Sequence, residues 1–475
     1  MSSVMNQGSS PAYGPAPFFS KEATYAKPGF SRWMVPPAAL AVHLCIGQAY
    51  AFSVFNVPLS RVIGITESAP DDWKLTTLGW IFSLAIFFLG ISAAFAGKWL
   101  ERVGPRLTMF TAACCFGSGF LVSALGIYTH QIALLYLGYG VLGGIGLGLG
   151  YVSPVSTLIR WFPDRRGMAT GMAIMGFGGG AMIAAPLSVA LMNTFKTATS
   201  VGVAQTFVVM GIGYFVSMLI GSLAIRVPAP GWKPAGWTPP TTASKMITRN
   251  HVHIDQALKT SQFYLLWLVL FLNVTAGIGV LGQASLMIQE SFKGSVTAAA
   301  AAGFVGLLSL FNMGGRFFWA SSSDWIGRKN TYFVFFALGA VLYWLVPQLG
   351  ASGNIALFVL AYCVIMSMYG GGFATIPAYL ADMFGTAFVG GIHGRLLTAW
   401  AAAGIAGPVL VNYIREYQVA HGVTGADAYT MTLHIMAALL VVGFICNLLV
   451  ARVSDRHHMS EADVSSLAGN ASAAH

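Results

Sequence analysis

The sequence predicts an all-α membrane protein of twelve transmembrane helices arranged as two six-helix halves. Three observations predict it. Only 8% of the 475 residues are charged while 56% are hydrophobic, against about 25% charged residues in an ordinary globular chain, so too little polar surface exists to cover a soluble core. Twelve apolar stretches each reach the ~20 residues that a helix needs to cross the hydrocarbon layer. Landmarks of the first half also recur in register in the second. The same composition excludes a disordered chain, a collagen-like repeat and a disulfide scaffold.

The apolar stretches run near 34–60, 77–98, 107–128, 132–159, 167–193, 204–226, 263–289, 297–322, 331–350, 355–381, 391–414 and 430–452. The first is too long for the core of a cleaved signal peptide and is expected to remain as a span. Spans 4 and 5 are separated by the tight polar turn Arg160 to Arg166. The longest polar break, Val227 to Thr260, contains several prolines and divides six spans from six. The expected organisation is therefore a disordered N-tail (1–32), a six-helix half (33–226), a central loop (227–260), a second six-helix half (261–452) and a C-tail (453–475).

Orientation follows from Lys and Arg, which cytoplasmic loops retain. With the N-terminus inside, 19 of the 25 fall on the cytoplasmic side, and Arg61, Lys74, Lys196, Lys293 and Arg415 fall opposite. The expectation is a multi-pass protein of a cell (inner) membrane with both termini cytoplasmic. The formal charge of +10 is thereby explained without nucleic acid. The five cysteines, Cys45, Cys114, Cys115, Cys363 and Cys446, lie in apolar stretches and read as small packing residues, not as metal ligands.

The repeat is visible at three places. The loop after span 2 contains Gly97, Glu101, Arg102, Gly104 and Arg106; the loop after span 8 contains Asp324, Gly327, Arg328 and Lys329, and its acid and glycine match at an offset of 223. The same offset carries Pro154 onto Pro377, and an offset of 222 carries Pro186 onto Pro408. Two related halves in register suit a rocking-bundle transporter. In the short loops, an acid at a helix end is placed to pair with Arg or Lys and with a neighbouring helix N-terminus, a clasp able to shut one side of the bundle. The alternative is a solvated turn that only fixes orientation.

Arg316 belongs to neither side. It precedes Asp324 by eight residues, about 12 Å inside the end of span 8 at 1.5 Å per residue. Such a cation is expensive and usually faces a partner or a water-filled path, and its planar fork suits a carboxylate. All 15 acids fall in tails, loops or span ends, so no carboxylate relay for protons is evident. His43, about ten residues into span 1, is the possible proton-coupling group; a plain helix-packing histidine is the alternative. His393 and His434 read as boundary or surface residues.

Asn312 precedes Arg316 by one helical turn and shares its face. Further polar and aromatic candidates for the substrate site are Gln48, Tyr50, Tyr151, Gln283, Trp319, Tyr369, Tyr379 and Trp400, with interfacial aromatic belts as the competing use. Gly277-Ile-Gly-Val-Leu-Gly282 and the run Gly143 to Gly150 imitate nucleotide-binding patterns, but both lie inside apolar spans and read as close helix packing. Neither a catalytic constellation nor a cofactor motif is present in the sequence, so neither an enzyme nor a nucleotide-driven pump is expected.

Twelve spans, the long central loop and the duplicated loop motif resemble the major facilitator superfamily. Arg32-Trp-Met-Val-Pro-Pro37, Tyr50-Ala-Phe-Ser-Val-Phe55, Arg160-Trp-Phe-Pro-Asp-Arg-Arg-Gly167, Gly314-Gly-Arg316 and Gly370-Gly-Gly-Phe-Ala-Thr-Ile-Pro-Ala-Tyr379 narrow the resemblance to the oxalate/formate antiporter family, over residues 32 to 452. The resemblance implies the major facilitator fold, a small carboxylate as substrate and function as a monomer. It also implies that Arg316, matching the family's span-8 arginine, binds the carboxylate. Oxalate carriers carry a lysine in span 11 where this chain reads Leu397-Thr-Ala-Trp400. A dianion held by one buried cation would stay half uncompensated, at a cost of several kcal/mol. The expected function is a gradient-driven carrier of a monocarboxylate, by proton symport or anion exchange. An oxalate/formate exchanger and a non-transporting sensor are the alternatives.

Overall fold

In the computed structural model the described residues are 17–229, 231–238, 247–248, 250–423 and 425–460. They form twelve long helical segments: α1 (Arg32–Leu59), α2 (Leu75–Val103), α3 (Pro105–Tyr128), α4 (Ile132–Trp161), α5 (Arg166–Phe195), α6 (Val203–Ala224), α7 (Ser261–Ser291), α8 (Ala298–Ile326), α9 (Arg328–Ala351), α10 (Ile355–Phe384), α11 (Val389–Ala420) and α12 (Asp427–Leu449). Eleven are long and apolar enough to cross a membrane. The other, α8, has 29 residues and carries Arg316, so it spans about 43 Å at 1.5 Å per residue. Phe and Leu side chains that a soluble protein would bury, such as Phe95 and Leu449, are exposed on the outer faces, as lipid requires.

The helix pairs obey the internal repeat. In the first half α1 packs on α5, α2 on α4 and α3 on α6; in the second α7 packs on α11, α8 on α10 and α9 on α12. The seam between halves is made by α5 against α8 and α2 against α11, two contacts that exchange under the repeat. Glycines let these helices approach closely. A Cβ at Gly97 would meet the Gly391 Cα at 2.4 Å, and one at Gly171 the Arg316 carbonyl at 2.9 Å.

Two helices depart from α geometry. α1 tightens to 3-10 over Gly47–Phe55, and α4 widens to a π stretch over Tyr136–Gly143. Both irregularities free backbone groups inside a span, where neighbours must satisfy them.

One face carries both described tails, and is called the tail face below. Residues 17–31 are ordered here, correcting the expectation of a disordered tail through residue 32; residues 1–16, with 461–475 of the C-tail, lie outside the described residues. Arg106 donates to the Phe18 carbonyl at 2.7 Å, Lys21 to the Glu101 carbonyl at 3.0 Å, and Ala26 pairs its backbone N–H with Val227 at 2.9 Å. The central loop returns over the second half, where Val252 donates to the Phe384 carbonyl at 2.9 Å and His251 accepts from the Met459 amide at 2.8 Å. Its residues 239–246 lie outside the described residues.

Candidate substrate site

Six side chains from six helices form one layer. His43, Tyr151, Phe177, Arg316, Phe373 and Trp400 each lie ten or eleven residues from the tail-face end of their helix, about 15–17 Å deep. All but Phe177 and Phe373 were singled out by sequence. Those two were missed because nothing distinguishes them among 32 phenylalanines.

Arg316 is fully buried. Its Nε donates to Asn312 Oδ1 at 3.0 Å, as the one-turn spacing anticipates. Its Nη1 donates to the Ile174 carbonyl at 3.3 Å, on α5 of the other half. Phe177 and Phe373 lie 5.6 Å and 5.3 Å from the guanidinium carbon, one ring from each half. Gly178 makes room, since a Cβ there would stand 3.1 Å from Arg316 Nε. Among the described residues no carboxylate pairs with Arg316, and its Nη2 has no hydrogen-bond partner.

Aromatic rings close the layer. Trp400 lies 4.5 Å from Phe373, 5.3 Å from Phe177 and 5.4 Å from Tyr151, centroid to centroid. Tyr50 packs on Phe177 at 5.0 Å, and its hydroxyl lies 3.4 Å from that of Tyr369. The Tyr151 hydroxyl, the Trp400 indole nitrogen and Nε2 of both His43 and His393 are buried without a partner. Natural interiors seldom leave buried polar atoms unpaired. Four of them gathered around a buried cation whose own Nη2 is unpaired mark a place prepared for a polar occupant.

His393 corrects the expectation of a boundary residue. It is buried, 5.8 Å from the Tyr151 ring. The helix that carries it begins at Val389 on the tail face, but its first turn packs into the seam against α2, as the approach of Gly391 to Gly97 shows. The residue's nearness to a loop in the sequence concealed this.

Four sequence candidates sit elsewhere. Gln48 accepts from Tyr139 at 2.9 Å within the first half, because the 3-10 turn of α1 points it at α4. Gln283 donates to Asn412 Oδ1 at 2.5 Å, where α7 meets α11 far from the tail face. Trp319 donates to Ser367 at 3.1 Å and packs on Phe335 at 5.3 Å, turned 300° around the helix from Arg316 and into the α8–α10 seam. Tyr379 lies 6.1 Å from Tyr332, nearer the tail face. His434 stacks on Trp344 at 4.0 Å at the periphery.

The tail face is pinned across the seam. Asp324 accepts from the backbone N–H groups of Gly167 and Met168 at 2.8 and 2.9 Å, capping the N-terminus of α5 from the other half. It also pairs with Arg328 Nη2 at 2.6 Å, and Arg328 donates to Ser323 besides. Asp382, absent from the sequence candidates, takes Arg166 at 2.8 Å and Arg328 Nε at 3.1 Å. Glu101 pairs with Arg160 at 2.5 Å, which also reaches the Ala387 carbonyl of the second half at 3.3 Å. Gly104 and Gly327 turn their chains at φ +84° and +86°, values that favour glycine. Arg102 is exposed, while Lys329 donates to the Leu448 and Val450 carbonyls at 2.9 and 2.7 Å, tying down the end of α12.

The comparisons agree with this architecture. The chain is 28% identical over 382 residues to the "Oxalate:formate antiporter" of Oxalobacter formigenes, covering 79% of this chain and 83% of that protein. It is 25% identical over 401 residues to human "Monocarboxylate transporter 11", covering 81% and 77%. The solved proton:xylose symporter XylE superposes with a TM-score of 0.65 at 14% identity, over 88% of this chain and 96% of that one, which shows a shared fold. A family model matches residues 29–408. The chain therefore belongs to the Major Facilitator Superfamily.

Proposed function

We propose that this protein is a secondary active transporter that moves a small monocarboxylate by alternating access, through proton symport or anion exchange. The observation that carries the reading is Arg316: buried between the halves, without an ion-pair partner among the described residues, and with its Nη2 amino group left without a hydrogen-bond partner. A lone cation in a dry site is costly, and one negative charge on a solute offsets that cost. Phe177 and Phe373 flank the guanidinium, and Tyr50 and Trp400 pack on those rings, a largely apolar setting that suits a small carboxylate with a short tail. Trp400 brings an indole N–H and no charge to the place where a dianion would need a second cation. The names of the two relatives above support the carboxylate class.

The basic loops support a cytoplasmic tail face in a cell membrane. The ion pairs there then close the site toward the cytoplasm, and their release during rocking opens it. Loading the anion removes the net charge that the empty site would carry through the rearrangement, which favours rocking of the loaded carrier.

The test is Arg316→Ala in proteoliposomes, with counterflow measured for formate, lactate, pyruvate, oxalate and nitrate. The expected outcome is monocarboxylate counterflow in the wild type and its loss in a variant that still folds and inserts. Near-normal counterflow by the variant would overturn the role of Arg316, and oxalate counterflow exceeding that of every monocarboxylate would overturn the substrate class.

A further inference from the structure

His43 lies in the layer of the lone cation, and His393, four residues into α11, lies buried on the tail-face side of that layer. His43 is on α1 of the first half and His393 on α11 of the second, with Tyr151 between them at ring distances of 5.5 and 5.8 Å. His43 Nδ1 engages the Ala39 carbonyl at 3.1 Å, one turn back in its own helix, which fixes the ring. Nε2 of each imidazole and the Tyr151 hydroxyl have no partner. Two buried imidazoles with free Nε2 atoms, on either side of one phenol at the seam, form a proton-binding group.

We propose that His43 and His393, on either side of Tyr151, are the proton-binding site of this carrier, so that one proton crosses with each monocarboxylate. This rests on the monocarboxylate reading above and decides between its two modes of drive. The proton adds to the lone pair of an imidazole Nε2 on the side of entry and leaves the same nitrogen on the side of release; no other bond changes.

The coupling comes from Arg316. A protonated imidazole and a bare guanidinium in one low-dielectric layer repel each other, so the empty site holds one positive charge in preference to two. A bound carboxylate cancels the guanidinium charge and removes that repulsion. Anion and proton then each strengthen the other's binding by the same factor, as linkage requires. The other groups near the pair do not disturb this. Facing His43, α4 brings Tyr151, α5 meets it with Gly176, α6 lays Ser217 and Tyr214 nearer Cys45, and Arg316 stands across the seam on α8. Near His393, α4 again brings Tyr151. Glu101 of α2 sits one turn away at Gly390 and is held by Arg160, and Arg395 turns to Asp255 at 3.9 Å.

The experiment reconstitutes the full chain in liposomes with a pH dye inside and applies labelled formate, lactate or pyruvate outside. Wild-type protein is expected to bring in about one proton per anion. His43→Gln/His393→Gln is expected to carry no proton with its remaining uptake and to lose its pH profile, with the single variants intermediate. Should the double variant be too slow for flux, lactate binding in detergent is measured by calorimetry in buffers of different ionisation enthalpy. The wild type then takes up a proton on binding and the variant does not. Wild-type apparent affinity for lactate is expected to fall roughly tenfold from ~pH 5.5 to ~pH 7.5, within the range typical of coupled sites. Net uptake without proton movement in the wild type, counterflow without any net uptake, or one proton per anion in the double variant overturns this proposal alone. Absence of wild-type counterflow for all three anions overturns the carrier reading with it.

Discussion

Asp382 of the second half and Arg166 of the first meet at 2.8 Å across the seam, and the other carboxylate oxygen of Asp382 takes Arg328 at 3.1 Å. One acid thus joins the end of α10 to the starts of α5 and α9, beneath the layer that holds Arg316. The tail face is closed by charge, whereas the layer above it is closed by aromatic rings. The two kinds of closure respond differently to substitution.

Asp382→Asn leaves Arg166 and Arg328 without their shared anion. Breaking a fully buried pair costs about 3–5 kcal/mol; these side chains keep 8–17% exposure, so ~1–2 kcal/mol is the working figure. The expected outcome is a shift toward tail-face opening. A cysteine placed at Thr170, which now donates to the Ala374 carbonyl at 2.6 Å across the seam, should react with a permeant maleimide about five-fold faster or more. An unchanged labelling rate would show that the pair does not hold the seam.

Arg316→Lys retains the charge and loses the fork. An ammonium cannot donate to Asn312 and to the Ile174 carbonyl from the two positions Arg316 uses. Uptake is expected to fall by roughly tenfold or more, with the apparent KM for monocarboxylate rising more than the maximal rate falls. Full activity would mean that charge alone binds the substrate.

Trp400→Lys puts a second cation beside Phe373 and Phe177. Counterflow preference is expected to move from monocarboxylates toward oxalate. If the ratio of the two does not move, the argument that one cation selects one charge is wrong.

Gly315→Val tests the α8–α10 contact. A Cβ there would stand 2.2 Å from the Ser367 carbonyl oxygen, a backbone atom that cannot yield. Overpacking of this kind costs about 1–3 kcal/mol, so the apparent Tm in detergent should drop by several degrees. Gly314→Ala, whose new methyl meets nothing within 4 Å, should leave it unchanged.

Asp72 tests the loop between α1 and α2. Burial pushes its carboxyl up, but the amides of Ile63, Ala69 and Gly64 outweigh that and hold it below the ordinary carboxylate range. A group lowered on folding stabilises the loop above its unfolded value, near 4, and that contribution fades as pH falls through the folded one. Asp72→Ala at neutral pH should therefore lower the hydrogen-exchange protection factors of those three amides, as acid does in the wild type once the slower intrinsic rate is allowed for. Exchange as slow as in the wild type would show that other contacts fold the loop.

Twelve spans were legible because hydropathy is a local sum that no tertiary contact can reverse. The repeat was legible because glycine, proline and a helix-end acid each answer a local backbone need. Arg316 stood out because a cation among apolar residues is costly wherever its helix turns. His393 was hidden, because four residues from the start of α11 looks like a boundary until that start is seen against the seam. Asp382 was hidden likewise: its position at a helix end was plain, but the guanidinium from the other half was not. Gln283 and Trp319 show the converse error, since polarity within a span does not say which neighbour a helix face will meet.

By itself, then, the chain determined its spans, its two-fold repeat and the cation set inside span 8, because each is a property of consecutive residues in a solvent that forbids unsatisfied backbone. Only the tertiary structure decided that Phe177, Phe373, Trp400, Tyr151 and His43 share one layer with Arg316, that His393 packs beside it against Tyr151, and that Asp382 bridges the halves. The physical reason is geometric. Helix spacing sets the depth of a side chain and its direction within one helix, while the azimuth between helices is settled by how glycine-lined faces pack across the bundle.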